Sequence, residues 1–113
     1  MPQGDSHQAS YIRQKVTIGE YQFSSHAVEM MGERKIWRDD VCQAIINGQV
    51  LEVQNFRKMN VKVIFQEATC EIPSFAVVVA ADYPVVQIVT VFRFKEEKGY
   101  EYIEKQNCWR RIR

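Results

Sequence analysis

His26 is the residue of this chain best suited to proton transfer, because imidazole titrates near neutral pH. It is the only histidine outside the N-terminal tail, and it follows Ser24 and Ser25, either of which could cap a helix. A helix N-terminus would favour the neutral, proton-accepting imidazole. Two interpretations follow: His26 is a general base or acid, or it is a first-turn residue that only bonds locally.

Two carboxylates follow at helical spacing from this histidine. Glu29 and Glu33 lie three and seven positions after His26, which puts them on the same side of the predicted helix. They could orient the imidazole or act as the base themselves. The alternative is a solvated helix face that pairs with neighbouring basic residues such as Arg34 or Arg38.

Arg34 and Arg93 could hold a phosphate, because a guanidinium fork matches phosphate oxygens. Arg93 ends a very apolar stretch, where a charge must find a partner or open water. Strand ends also commonly carry arginine for solubility, so a role in solubility remains the alternative.

Two basic clusters have an aromatic neighbour. They are Arg57 and Lys58 beside Phe56, and Arg110, Arg111 and Arg113 beside Trp109. Basic groups next to aromatic rings suit single-stranded RNA, through phosphate pairing and base stacking. The same composition also occurs at tails and hairpin tips that bind nothing.

Composition narrows the class of protein. The chain has 113 residues, 46% hydrophobic and 26% charged, with a net charge of +1, so it lacks the overall basic field of a nucleic-acid coat protein. Cys42, Cys70 and Cys108 show no C-x-x-C spacing and no nearby histidine pair, which argues against a disulfide framework and a zinc site. No signal peptide, membrane-length apolar run or cofactor-binding motif is present. We therefore expect a cytoplasmic protein with no metal, no cofactor and no membrane contact.

The elements that must position these residues are two helices and a sheet. The polar residues 1–14 predict a flexible N-terminal arm, followed by a single α+β domain over residues 15–113. Lys15 to Phe23 predicts an irregular edge strand or an extended lead-in. The first helix runs from Ser24 to about Arg34, with Ala27, Val28, Met30 and Met31 on one side; the second starts near Asp39 and ends with a left-handed cap at Gly48.

After Gly48 the apolar period changes to two. Four strands are predicted, at Val50–Phe56, Val61–Glu67, Phe75–Ala81 and Val85–Phe94, joined as an antiparallel meander. The third and fourth are apolar on both faces, which indicates central strands. Residues 95–113 are either a last edge strand or a short amphipathic helix. The predicted fold is two N-terminal helices packed on a four-stranded antiparallel sheet.

The run S-x-H-A-x-x-x-M-x-E-R-x-I-x-x-D-D-V-x-x-A-I-x-x-G-x-V-x-E, from Ser24 to Glu52, resembles an uncharacterised bacterial domain family. The strand motifs that follow in that family correspond in this chain to FAVVVA (Phe75 to Ala80) and QIVTVFR (Gln87 to Arg93). The resemblance implies kinship with RelE-like and barnase-like ribonucleases, many of them toxins of toxin–antitoxin pairs. It implies metal-independent RNA cleavage by 2′-hydroxyl attack, an antitoxin partner, and catalytic roles for His26, Arg34, Thr90 and Arg93.

The sequence departs from that family pattern at two positions. Met30 stands where the family has an arginine, and Phe75 stands where it has a histidine. These changes remove a cation and an imidazole from the implied site. Three hypotheses follow: a ribonuclease with fewer catalytic groups, a catalytically inactive protein- or RNA-binding module of the same fold, or a small-molecule-binding domain.

Overall fold

The computed structural model describes residues 6–54, 61–68, 70–81 and 85–112. These residues form three α-helices, a five-stranded sheet and a two-stranded sheet. The helices are α1 (His7–Thr17), α2 (Ser25–Arg34) and α3 (Arg38–Asn47). The strands are β1 (Tyr21–Phe23), β2 (Gln49–Gln54), β3 (Lys62–Gln66), β4 (Phe75–Ala80), β5 (Val86–Arg93), β6 (Tyr100–Ile103) and β7 (Cys108–Arg111). The predicted α+β class is confirmed, while the predicted counts of two helices and four strands are wrong.

The additional helix, α1, lies where the sequence predicted a flexible arm over residues 1–14. Ser6 caps it, since its Oγ accepts a hydrogen bond of 3.1 Å from the backbone N–H of Ala9. Ala9, Ile12 and Val16 recur at helical spacing and are buried. This narrow apolar stripe stabilises the helix through tertiary packing, although polar residues surround it in sequence.

The predicted pair of helices is confirmed as α2 and α3. Ser24 caps α2, because its Oγ accepts a bond of 2.9 Å from the N–H of Ala27. The helix ends at Lys35, whose φ of 55° is left-handed. In α3, Asp39 and Asp40 occupy the first turn, where negative charge offsets the free N–H groups.

The predicted left-handed cap at Gly48 is wrong, because this residue has an extended backbone with φ −78° and ψ 167°. Glycine is nevertheless required there. A Cβ atom at this position would lie 2.0 Å from the carbonyl oxygen of Gln66 and 2.2 Å from that of Ala44. The close approach of α3 to β3 therefore accounts for the glycine.

The four predicted strands correspond to β2 to β5, and their antiparallel meander is confirmed. The fifth strand, β1, pairs parallel to β5, with Tyr21 opposite Val86 and Phe23 opposite Ile88. The strand order is β1-β5-β4-β3-β2, so β1 and β2 are the edges. Lys15 to Phe23 was expected to be an edge strand or an extended lead-in. Its start belongs to α1, and only its last three residues form a strand, β1.

The main sheet has a core on each face. The helix-covered face buries Val63, Phe65, Val77, Val79 and Ile88 against α1 and α3, and the other face buries Ile64, Ala76 and Val78. Every residue of β4 is buried, which confirms that this strand is central and covered on both faces.

The second face is covered by the hairpin of β6 and β7. Trp109 stacks on Phe94 with ring centroids 4.7 Å apart, and its indole N–H donates to the carbonyl of Pro73 at 2.7 Å. The buried amide of Gln66 donates to the carbonyl of Asn107 at 2.9 Å and accepts from the N–H of Trp109 at 3.0 Å. The predicted alternatives for residues 95–113 were one edge strand or an amphipathic helix; the described part, up to Ile112, instead forms two strands that pair with each other and contains no α-helix. Within the described residues, no helix is long and apolar enough to cross a membrane.

Candidate functional site

His26 is exposed in the first turn of α2, as the sequence predicted. No hydrogen bond or ion pair joins its side chain to another described residue. The turn itself is fixed to β5 through Ser24, whose N–H donates to the carbonyl of Ile88 at 2.9 Å and whose hydroxyl donates to that of Val89 at 2.8 Å. The imidazole is therefore on a rigid support, and solvent can reach it.

Arg93, at the end of β5, binds the C-terminal end of α2. Its Nε and Nη2 donate to the carbonyl of Arg34 at 3.1 and 2.9 Å, and Nη2 lies 3.4 Å from the carbonyl of Lys35. The last carbonyls of a helix lack partners within it and carry partial negative charge. The guanidinium therefore caps α2, which accounts for a charge at the end of an apolar strand.

Arg34 makes contacts within the fold as well. Its Nη1 donates to Met30 Sδ, and its Nε lies 3.5 Å from a carboxylate oxygen of Glu96. The side chain is 24% exposed. Met30, which replaces an arginine of the resembling family, is thus a contact of Arg34. Phe75, which replaces the histidine, is buried directly opposite Arg93.

The residues predicted to be catalytic do not converge. Arg34 and Arg93 meet at the C-terminal end of α2, whereas His26 lies at the other end. His26 and Arg34 are eight positions apart in α2, which is about 12 Å along the helix axis. A general base must come within about 3 Å of the proton that it removes. His26 makes no hydrogen bond or ion pair with Arg34 or Arg93, so contact of all three with one phosphodiester would depend on the reach of their side chains.

Thr90 faces away from the helices. It lies opposite Val78, which belongs to the core of the second face, and register partners share a face. Val78 pairs with Thr90, but the next residue, Val79, pairs with Ile88. Val89 therefore has no partner on β4 and forms a β-bulge. Without this bulge, alternation would place Thr90 on the helix-covered face with Ile88.

The predicted RNA-binding arginines at the C-terminus are in ion pairs. Arg110 Nη2 lies 2.9 Å from Glu101, and Arg111 makes two hydrogen bonds of 2.9 and 3.1 Å to Glu52. The bonds from Arg111 lower the pKa of Glu52. These residues line a cleft of about 690 Å³, in which carboxylates already balance the arginines. The other basic residues predicted to bind RNA, Arg57, Lys58 and Arg113, lie outside the described residues.

A different surface, which the sequence did not predict, lies at the open edge of β1. A cleft of about 500 Å³ is lined there by β1 with Gly19, Val28 and Arg38. Val28 is 54% exposed. Ile18 and Trp37, which directly precede the lining residues Gly19 and Arg38 in the sequence, are 57% and 73% exposed. We call Ile18, β1, Val28, Trp37 and Arg38 the β1 edge surface.

Two side chains shape this surface. The Arg38 guanidinium lies 4.7 Å from the centroid of the Phe23 ring, as in a cation–π contact. The Tyr21 hydroxyl lies 3.1 Å from Cys42 Sγ, and this hydrogen bond raises the pKa of Tyr21. Val28 was predicted to share one apolar side of its helix with Ala27, which is wrong, because Ala27 is buried and Val28 is exposed. Two sequence features could have revealed the surface. Val28 lies next to the charged residue Glu29 on α2, and a tryptophan, Trp37, lies in the connection between α2 and α3.

One protein family matches more than half of the chain. The family model described as Domain of unknown function (DUF4258) matches residues 23–93, which span the last residue of β1, α2, α3 and the strands β2 to β5. No curated protein and no solved structure matches the chain significantly. Within the described ranges, no group of three histidine, cysteine, aspartate or glutamate side chains could hold a metal ion.

Proposed function

The chain belongs to the family described as Domain of unknown function (DUF4258), and on this premise we propose that it is a protein-binding module without nuclease activity. The matched segment contains Phe23, Val28, Trp37 and Arg38 of the β1 edge surface, while Ile18, Tyr21 and Gln22 precede it. The proposed partner is a protein that docks at that surface.

One observation carries the proposal. Large apolar side chains are exposed beside an open strand edge, with Trp37 at 73% and Val28 at 54% exposure. Exposed apolar groups next to one another are typical of protein interaction sites. Trp and Arg are the residues that most often dominate binding energy, and Trp37 and Arg38 are adjacent here. Burial of these side chains by a partner would supply the main favourable free energy of binding.

The nuclease hypothesis remains as a second candidate because His26 is exposed and unpaired among the described residues. Under this hypothesis the protein would be a cytoplasmic relative of RelE-like and barnase-like ribonucleases, would cleave RNA without a metal, and would have an antitoxin partner. Arg34 and Arg93 are its weakest elements, since both are bound to other parts of the fold.

The binding proposal is tested with a matched pair of variants. Val28 and Ile72 are exposed to 54% and 53%, but only Val28 lies on the β1 edge surface. We expect tagged wild type and Ile72→Glu to retain the same partner protein from the native host, and Val28→Glu to lose it. Equal retention by both variants would refute the proposed surface.

RNA cleavage is tested separately. Purified wild type should leave a single-stranded RNA intact in the presence of a chelator, and induced expression should not arrest growth. Cleavage that disappears in His26→Ala would establish the nuclease in place of the binding module. Lys105→Ala is the control, because Lys105 is exposed between β6 and β7 and has no predicted catalytic or RNA-binding role.

A further inference from the structure

We infer that the occupant of the β1 edge surface is a second copy of this chain, paired through β1 in antiparallel orientation about a twofold axis. The inference rests on the proposed function, because it names the partner at the same surface. It follows from the backbone of β1, its symmetry and the charges beside it.

The open edge of β1 presents two residues with outward backbone groups. The N–H of Ser24 donates to the carbonyl of Ile88 on β5, so Ser24 and Gln22 direct their backbone groups toward that strand. Successive residues of a strand direct these groups to opposite sides. The N–H and C=O of Tyr21 and Phe23 therefore point away from β5, and no described residue bonds them.

These outward groups are arranged symmetrically. Tyr21 and Phe23 flank Gln22, so a twofold axis through Gln22 places each Tyr21 opposite Phe23 of the second copy. In an antiparallel ladder such a pair exchanges both of its N–H···O bonds, which makes four new bonds across the dimer. An isologous interface requires self-complementarity of this kind.

The charges beside the edge are complementary in the same register. Arg38 lies over the ring of Phe23, and Phe23 would face Tyr21 of the second copy, which follows Glu20. Glu20 is 60% exposed and is bound on one side by Lys15, so its carboxylate is accessible to a second cation. The end of β1 that carries Arg38 would thus lie beside the end of the second copy that is preceded by Glu20.

The apolar side chains support the same arrangement. A twofold axis perpendicular to the sheet keeps the helix-covered faces of both copies on one side, so Val28 and Trp37 of one copy approach those of the other. The two five-stranded sheets would join into one continuous sheet. Pairing also removes an open edge, which otherwise invites aggregation.

The test places like charges at the centre of the proposed pairing. Gln22 is exposed and would lie opposite Gln22 of the second copy in a non-hydrogen-bonded pair, with Cα atoms about 4.5 Å apart. We expect Gln22→Lys to weaken dimerisation in sedimentation equilibrium by about tenfold or more, because like charges placed directly opposite each other across an interface are strongly destabilising. Gln49→Lys, at an exposed glutamine of the other edge strand β2, should dimerise as the wild type does.

A charge-reversal mixture completes the experiment. Gln22→Glu alone should also dissociate, while an equimolar mixture of Gln22→Lys and Gln22→Glu should restore a heterodimer. Restoration also shows that both variants are folded. A wild type that is monomeric at about 100 μM, well above the dissociation constants of specific interfaces, would overturn the inference.

Two further outcomes decide between the inference and the broader proposal. Dimerisation that is unaffected by both substitutions at Gln22 would overturn the inference. A monomeric wild type that captures a different protein through Val28 would refute the second copy as occupant and leave the protein-binding proposal intact.

Discussion

Replacement of Arg93 separates a structural from a catalytic role for this residue. The guanidinium donates two hydrogen bonds to the carbonyl of Arg34 and lies 3.4 Å from that of Lys35. Arg93→Met keeps an unbranched apolar stem of similar course but removes every donor. The C-terminal carbonyls of α2 would then lose their charged partner.

The cost follows from the contacts that are lost. Hydrogen bonds to a charged group contribute about 1.5 to 3 kcal/mol net, and a cation at a helix C-terminus about 0.3 to 1 kcal/mol. Because Arg93 is only half-buried and water can replace part of the cap, we expect a loss of about 2 kcal/mol in free energy of unfolding. For a chain of this length that loss lowers Tm by about 8 °C.

Urea denaturation followed by circular dichroism measures the effect. Arg110→Met is the matched control, since the Arg110 side chain is 67% exposed and its ion pair with Glu101 should contribute at most about 1 kcal/mol. Arg93→Lys should recover part of the loss, because one ammonium cannot reproduce the forked contact with Arg34. An Arg93→Met protein as stable as the wild type, but altered in RNA cleavage, would refute the structural role.

Two further predictions concern stability. Gly48→Ala should destabilise the fold by about 3 kcal/mol, because its Cβ would overlap two backbone carbonyls, whereas Gly32→Ala, with open space around it, should stabilise α2 by about 1 kcal/mol in the same denaturation assay. Arg111 holds the pKa of Glu52 below its usual value of 4.5, so the ion pair stabilises the fold above that pH and this contribution is lost as pH falls through the lowered pKa. Glu52→Gln should therefore be less stable than wild type at neutral pH, and the difference should shrink in acid; a difference that is constant with pH would contradict the assignment.

Local patterns were sufficient for much of this fold. Ser24 as a helix cap, the turn at Lys35 and the two acidic residues that start α3 could all be read from residue type and spacing. The four strands β2 to β5 followed from an apolar period of two and short connections. These features depend on interactions between residues near each other in the chain, which is why sequence alone predicts them.

Helix α1 and the hairpin of β6 and β7 were harder to predict. The buried stripe of α1 consists of only three residues in a polar segment. The helix is stable because α3 and β5 cover this stripe. The hairpin depends on Gln66 and Phe94, which lie on distant parts of the chain and hold Trp109 in place. Long-range contacts of this kind leave no local pattern.

The residues whose side chains could take part in catalysis or binding were identified from the sequence by their type. His26 in particular is exposed at the start of a helix, as expected. Their relation in space was decided by tertiary structure. One bulge at Val89 turns Thr90 to the opposite face, and the end of β5 brings Arg93 to the carbonyls of α2. Side-chain type is a property of the residue, but the partner of a charge is a property of the whole fold. The sequence therefore determined which groups could act, and only the packing of α2 on β5 determined that Arg93 bonds the last carbonyls of α2.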